Sequence, residues 1–144
     1  MQVHQILRQK PKAAVITVLP GTMVSDAARL LAERRIGAVI VSEDGAHPLG
    51  ILSERDIVRD LGRRGADCLS NKVDALMTRN IVSCGPDDSA DLVLEKMTAG
   101  RFRHMPVIEN GAMIGIISIG DVVAARISEL AMEKDALAGM IMGN

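Results

Sequence analysis

Two stretches of sequence decide the fold: GILSERDIV at residues 50–58 and GIISIGDVV at residues 115–123. In each stretch an apolar run predicts a buried strand that ends at a serine, and a helix follows that serine. The serine precedes an aspartate by three residues in both, and the second stretch begins 65 residues after the first (115 − 50). A repeat at a fixed spacing indicates an internal duplication of the chain.

The Ser-x-x-Asp pattern has two interpretations. In a capping box, the serine oxygen accepts a hydrogen bond from a free amide at the helix start, and the aspartate complements the helix dipole. In a ligand site, the same free N–H groups bind a phosphate, and the hydroxyl and carboxylate hold phosphate and ribose. Duplication alone does not decide between capping and binding, so both interpretations stay open.

Length and composition narrow the class of protein. A chain of 144 residues fits one compact domain or two small halves, and 48% hydrophobic residues are enough for a core. That core is expected to be aliphatic, because Phe102 is the single aromatic residue. The net charge of −1 gives no basic field for nucleic acid, so we expect no nucleic-acid partner.

The sequence shows no targeting signal and no cysteine motif, and we therefore expect a cytoplasmic protein. Cys68 and Cys84 are too far apart for a CxxC motif, and we expect both to be reduced thiols. The N-terminal residues lack the apolar core of a signal peptide. No stretch approaches the ~18 apolar residues of a membrane span, so no membrane contact is expected.

Hydrophobic periodicity predicts the same order of elements, β-α-β-β-α, in both halves. In the first half the predicted elements are strands at 15–18, 38–42 and 49–52, a helix at 23–34, and a helix from Ser53 to about Leu61 closed by Gly62. In the second half they are strands at 81–84, 105–108 and 114–117, a helix at 90–99, and a helix from Ser118 to about Leu130. A short amphipathic turn at 3–10, interrupted by Pro11, precedes the first half, and a short helix at 73–77 precedes the second.

The chain divides into a first domain at 1–62, a linker at 63–71, a second domain at 72–130 and a helical tail at 131–144. A unit of about 60 residues buries too little surface to be stable alone. We therefore expect an α/β (α+β) fold in which the two halves pack on each other with pseudo-two-fold symmetry.

This arrangement resembles the cystathionine β-synthase (CBS) domain, in which Gly-aliphatic-aliphatic-Ser-x-x-Asp-aliphatic closes a β-α-β-β-α unit. The segments MTRNIV at 77–82 and RHMPV at 103–107 are also similar to that family. Two copies in register, over roughly residues 3–130, resemble a tandem pair, or Bateman module, of the kind found as stand-alone bacterial proteins.

The resemblance implies a regulatory sensor whose clefts bind AMP, ADP, ATP, NADH or another adenosyl ligand, with no obligatory cofactor. In the family the motif aspartate bonds the ribose hydroxyls and the motif serine contacts phosphate. Carried over, these roles fall on Ser53 and Asp56 in one cleft and on Ser118 and Asp121 in the other. A carboxylate that accepts from two vicinal hydroxyls, and a hydroxyl at a helix start, suit those roles chemically.

The second half carries more candidate phosphate donors than the first. Arg101, Arg103 and His104 precede its strand pair, so we expect the cleft of Asp121 to be the better nucleotide site. The first half offers Arg34 and Arg35 at the matching helix end, and Arg55 lies inside its motif. The alternative for these side chains is a solvated surface.

Aliphatic side chains are the candidates for holding adenine: Ile16 and Val18 in one half, and Val82 and Met105 in the other. Thr17 and Ser83 occupy equivalent positions and are candidates for contact with base or sugar. The alternatives are an ordinary core for the aliphatic residues and a hydroxyl bonded to backbone for Thr17 and Ser83.

The tail predicts an amphipathic helix whose apolar stripe either covers its own domain or contacts a second copy of the chain. The resemblance implies a homodimer, and the regulated protein partner is still to be identified. We expect no enzyme, since the sequence shows neither metal-ligand spacing nor a nucleophile–base pair nor a phosphate-binding glycine loop. A structural interaction module without ligand is the alternative. The arginines disfavour S-adenosylmethionine, which lacks phosphate, but the choice among ligands stays open.

Overall fold

The computed structural model describes residues 1–10 and 15–142. The first half contains α1 (Val3–Gln9), β1 (Thr17–Val18), α2 (Val24–Arg34), β2 (Ala38–Val41), β3 (Gly50–Ser53) and α3 (Glu54–Arg64). A 3₁₀ turn at Gly65–Ser70 leads to the second half, which contains α4 (Val73–Leu76), α5 (Ala90–Gly100), β4 (His104–Glu109), β5 (Ala112–Ser118) and α6 (Ile119–Ile141). The predicted interruption at Pro11 and the last two positions of the tail lie outside the described residues.

The two sheets differ in their first strand. In the first half β1 pairs parallel with β2, and β2 pairs antiparallel with β3. In the second half β4 and β5 form the antiparallel pair, but the strand predicted at 81–84 is reduced to one parallel bridge between Cys84 and Val107. The prediction of a full strand at 81–84 was therefore wrong.

A proline accounts for the shortened strand. The Ile40 amide donates to the Ile16 carbonyl at 3.2 Å in the first half. At the equivalent positions, 66 residues later, stand Pro106 and Val82. Proline has no N–H, so this bond cannot form and the pairing stops at Cys84.

The end of helix α3 also differs from the sequence prediction. Helix α3 continues through Gly62 to Arg64 and is capped by Gly65, whose φ is 68°. Gly62 therefore lies within the helix, and the positive φ that favours glycine occurs three residues later. Helices α2 and α5 end at left-handed arginines instead, Arg35 with φ 53° and Arg101 with φ 56°.

The two aliphatic cores are completed by exchanged helices. The first-half core includes Val73 and Met77, from the segment that precedes the second half. The second-half core includes Val3 and Ile6 of α1, which precedes the first half. Each half is thus covered by the helix that leads into the other, which locks the two halves together.

Backbone bonds hold both exchanged helices in place. An antiparallel bridge joins Met23 to Lys72, at the starts of α2 and α4, and another joins Gln2 to Ser89, at the starts of α1 and α5. The matching bridges confirm the expected pseudo-two-fold arrangement of two α/β repeats. Within the described ranges, no helix is both long and apolar enough to cross a lipid bilayer.

The motif glycines are the points of closest approach to the exchanged segments. A Cβ placed on Gly50 would overlap the Met77 side chain and lie 2.7 Å from its Cγ. A Cβ on Gly115 would lie 3.1 Å from Leu7 Cδ2, the mobile end of a side chain. Met77 is buried in the first-half core and has less room to move.

We predict that Gly50→Ala destabilises the fold by about 1–3 kcal/mol, as expected for overpacking of a tight core. Gly115→Ala serves as the matched control and should cost less, because the tip of Leu7 can rotate away. Urea unfolding of the two variants measures the difference. Equal stability of Gly50→Ala and the parent would contradict the packing described above.

Candidate functional site

Both Ser-x-x-Asp motifs form complete capping boxes. The Asp56 amide donates to Ser53 Oγ at 3.2 Å, and the Ser53 amide donates to Asp56 Oδ2 at 2.9 Å. The corresponding bonds between Asp121 and Ser118 are 3.1 and 2.8 Å long. The capping interpretation is therefore realised at the starts of α3 and α6, and it fixes the position of each carboxylate.

The Asp121 cleft, which we name after the aspartate in its wall, has a volume of about 640 Å³. It is lined by Leu7, Lys10, Val15, Ile16, Arg35, Ile36, Gly37, Ala38, His104, Ile114, Gly115, Ile116, Ser118 and Asp121. Lys10 Nζ lies 2.9 Å from Asp121 Oδ2 and donates to the Ile116 carbonyl at 2.9 Å. The carboxylate in this largely aliphatic cleft is therefore paired with an ammonium group.

The Asp56 cleft, named in the same way, has a volume of about 310 Å³. It is lined by Gly37, Ile51, Ser53, Glu54, Arg55, Asp56, Arg59, Thr78, Ile81, Val82, Gly100, Arg101, Phe102, Arg103, His104 and Pro106. Arg59 lies 3.7 Å from Asp56 through its Nη1 and Oδ1 atoms. Four arginines thus line the cleft at one helix start.

His104 belongs to the walls of both clefts and contacts the backbone of Gly37, where an added Cβ would lie 2.8 Å from the imidazole Cε1. Burial lowers the pKa of His104 below its ordinary value of 6.5. The carboxylates of Glu54 and Asp121 act in the opposite direction, while Lys10 and Arg103 add to the lowering. The imidazole is therefore neutral at pH 7.

The predicted site residues are distributed over the two clefts, and each cleft is lined by residues from both halves. Ser118, Asp121 and Ile16 line the Asp121 cleft. The Asp56 cleft receives Ser53, Asp56, Arg55, Val82, Arg101 and Arg103. Arg101 and Arg103 were predicted to lie beside Asp121. The Arg103 carbonyl does accept from the Ile119 amide at the start of α6, but both arginines line the Asp56 cleft, so this reason for preferring the Asp121 cleft does not hold.

The other candidates lie away from both clefts. Met105 is fully buried in the second-half core, opposite Ile117, so it cannot contact a ligand in either cleft. Thr17 and Val18 form β1, and neither is among the described residues that line a cleft. The same holds for Ser83, whose carbonyl accepts from Lys96.

Several residues of the clefts were missed by the sequence analysis. Lys10 reaches Asp121 only because α1 packs on the second half, which periodicity does not reveal. Arg59 follows Arg55 by one helical turn, a spacing that predicts a shared face. Phe102 lines the Asp56 cleft, so an aromatic ring is present where only aliphatic contacts were expected.

The described residues were also compared with the requirements of a metal site and of a reactive thiol. Among residues 1–10 and 15–142, no cluster of His, Cys, Asp and Glu side chains could hold a metal ion. Cys68 and Cys84 are buried free thiols. Burial raises the pKa of Cys84 to about 11, so its sulfur stays protonated.

Comparison with known proteins identifies the family. The sequence profile described as "CBS domain" matches residues 4–63 and 73–128. The chain therefore belongs to the CBS domain family and contains two copies of the domain, as the sequence analysis predicted.

Solved structures agree with this assignment. A CBS-domain containing protein from Agrobacterium tumefaciens is 44% identical, with a TM-score of 0.83 over 88% of this chain and 99% of that chain. A protein with CBS domains from Burkholderia ambifaria is 39% identical, with a TM-score of 0.80 over 89% and 95% of the two chains.

Two curated plant relatives are longer than this chain. CBSX3, a mitochondrial CBS domain-containing protein of Arabidopsis thaliana, is 35% identical over 83% of this chain and 60% of its own length. CBSCBSPB2 of the same plant is 37% identical over 86% of this chain, which spans only 23% of that protein.

Two more distant structures contain adenosine ligands. A CBS domain protein from Pyrobaculum aerophilum was solved with AMP, and the CBS domain pair of protein MJ0100 with 5′-methylthioadenosine and S-adenosylmethionine. Each is 23% identical to this chain, with TM-scores of 0.76 and 0.77, which establishes a shared fold.

The lowered pKa of His104 generates a prediction for stability. Between its folded-state pKa and 6.5 the unfolded chain binds more protons at this residue than the folded chain. Stability should therefore fall as the pH is lowered through 6.5, and the fall should end below the folded-state pKa. His104→Gln should flatten this part of the profile of unfolding free energy against pH. Parallel profiles for variant and parent would contradict the burial effect.

Proposed function

We propose that this chain is a non-catalytic regulatory module that binds an adenosine ligand, such as AMP, ADP, ATP or NADH. The observation that carries the proposal is the duplicated constellation of serine, aspartate and helix start, which faces a cleft in both halves. Volumes of about 310 and 640 Å³ lie in the range of pockets for small molecules.

The chemistry of each wall fits one part of such a ligand. An aspartate carboxylate accepts hydrogen bonds from two vicinal ribose hydroxyls. The serine hydroxyl and the positive end of the helix suit a phosphate. Aliphatic side chains such as Ile16, Ile36 and Ile116 in the Asp121 cleft, and Ile81 and Val82 in the Asp56 cleft, suit the faces of adenine.

Known complexes support the ligand class. AMP in the Pyrobaculum aerophilum protein, and methylthioadenosine with S-adenosylmethionine in MJ0100, share the adenosine group. At 23% identity those proteins share the fold, and the choice of ligand for this chain rests on its own residues.

Regulation follows from the position of the clefts. Both lie between the two halves, so a ligand contacts a helix start of one half and a strand of the other. A ligand that binds one arrangement of the halves better than another shifts the population toward it. A protein partner, or a second copy of the chain, would bind the two arrangements of the halves with different affinities.

We predict that Asp56→Asn and Asp121→Asn each weaken adenosine-ligand binding at their own cleft by about tenfold, because a neutral amide accepts ribose hydroxyls less strongly. Asp26→Asn, which changes a first-turn aspartate of α2 outside both clefts, is the matched control. Calorimetric titration with AMP, ATP, NADH and S-adenosylmethionine measures the affinities.

Two outcomes of this titration would contradict the proposal. No heat with any ligand would favour the ligand-free interaction module, for which the complete capping boxes are already a sufficient reason to keep Ser and Asp. Steady conversion of a nucleotide, lost in Asp121→Asn, would instead establish an enzyme.

We also propose a homodimer formed through α6. This helix has 23 residues and is about 34 Å long, but Ala125 is its last buried residue. Along the exposed side of this helix, apolar side chains recur at spacings of three and four: Val123, Ile127, Leu130, Leu137 and Ile141 are 45–85% exposed, and Lys134 takes the position between Leu130 and Leu137. This 3.5-residue repeat is the pattern of a two-stranded coiled coil, which is self-complementary and therefore fits a second copy of the chain.

We predict that Leu130→Lys converts the dimer into a monomer, since a second charge in the seam would be buried without a partner. Ala136→Lys, on the outer face of the same helix, is the control and should leave the dimer intact. Sedimentation velocity distinguishes the two states. A parent chain that sediments as a monomer at tens of micromolar would overturn the dimer itself.

A further inference from the structure

We infer that the Asp56 cleft selects a polyphosphate, so that it binds an adenosine di- or triphosphate in preference to AMP, whereas the Asp121 cleft does not. The inference rests on the proposed function and adds the ligand charge that each cleft accepts. It depends on the side chains that the structure brings together in the two walls.

The charges of the two clefts differ. Four arginines and two carboxylates, Glu54 and Asp56, line the Asp56 cleft. In the Asp121 cleft the cations are Lys10 and Arg35, and Lys10 is already paired with Asp121. The Asp56 cleft thus combines four cations with two carboxylates, a net charge of +2, whereas the Asp121 cleft combines two cations with one carboxylate, a net charge of +1.

The arginines reach the Asp56 cleft from both halves. Arg55 and Arg59 are one turn apart on α3, while Arg101 and Arg103 stand at the end of α5 and the start of β4. A guanidinium group binds phosphate through paired N–H donors. A chain of two or three phosphates offers more oxygen acceptors than one phosphate and can extend between arginines that come from two sides.

Arg101 and Arg35 occupy matched backbone positions at the two clefts. Arg101 ends α5 in the left-handed conformation, with φ 56°, where glycine is the residue with the lowest backbone cost. Arg35 ends α2 in the same conformation, with φ 53°, and lines the Asp121 cleft. The change of arginine to glycine at each position therefore gives a matched pair of variants.

The test is calorimetric titration of the full chain with adenosine, AMP, ADP, ATP and inorganic tripolyphosphate in magnesium-free buffer. We expect ATP to bind at least about tenfold more tightly than AMP, since each added phosphate engages further arginines. Higher salt should weaken ATP binding more than adenosine binding, because the arginines are partly exposed to solvent.

Three variants test whether the preference for ATP over AMP arises at the Asp56 cleft. Arg101→Gly should remove most of the preference for ATP over AMP without lowering the midpoint of urea unfolding, since glycine suits the left-handed backbone. Arg59→Gln should also reduce the preference for ATP over AMP. Arg35→Gly makes the same backbone change at the Asp121 cleft and should leave the preference for ATP unchanged.

The outcomes separate this inference from the proposed function. If AMP and ATP bind equally, and Arg101→Gly changes neither, the polyphosphate inference is overturned while the adenosine module stands. If tripolyphosphate binds but adenosine and AMP do not, the arginine site stands and the adenosine proposal is overturned. If none of the five compounds binds, both are overturned.

Discussion

The exchange of leading helices is the constraint on which the rest of the structure depends. Val3 and Ile6 complete the core of the second half, and Val73 and Met77 complete that of the first. Neither half can bury its sheet with its own residues alone, so the halves are held face to face. The two clefts exist because this pairing sets each helix start of one half against a strand of the other. Overpacking at the contact of Gly50 with Met77 therefore bears on the clefts as well as on stability.

Capping and ligand binding use the same atoms in this fold, and they are compatible. The bonds from the Ser53 and Ser118 amides both end on Oδ2 of the aspartate, which holds the carboxylate in one orientation. A ligand that meets an already oriented carboxylate loses less free energy to ordering than one that must fix a mobile side chain. The capping box is thus part of the preorganisation of a site, and its completeness does not argue against a ligand.

The sequence predicted what depends on local pattern and failed where tertiary pairing decides. The repeat and the Ser-x-x-Asp pairs of both capping boxes follow from residues 50–58 and 115–123, and the order of the other elements follows from hydrophobic periodicity in each half. The placement of Arg101 and Arg103 opposite Asp56 does not, because sequence proximity to Asp121 says nothing about which helix faces β4. The lost strand at 81–84 could have been predicted from Pro106, since a proline cannot donate to Val82. The contact between Lys10 and Asp121 required knowledge of the helix exchange.

Pro106 also makes the two repeats of this fold differ from each other. In the first half Ile40 bonds to Ile16 and keeps β1 in the sheet. In the second half Pro106 releases the equivalent strand, and Val82 is 42% exposed and lines the Asp56 cleft. The same replacement brings Pro106 itself into the wall beside Arg101 and Arg103. Pro106 lines the arginine-rich cleft, whereas its counterpart Ile40 is not among the described residues that line the Asp121 cleft, so the two clefts differ in apolar surface as well as in charge.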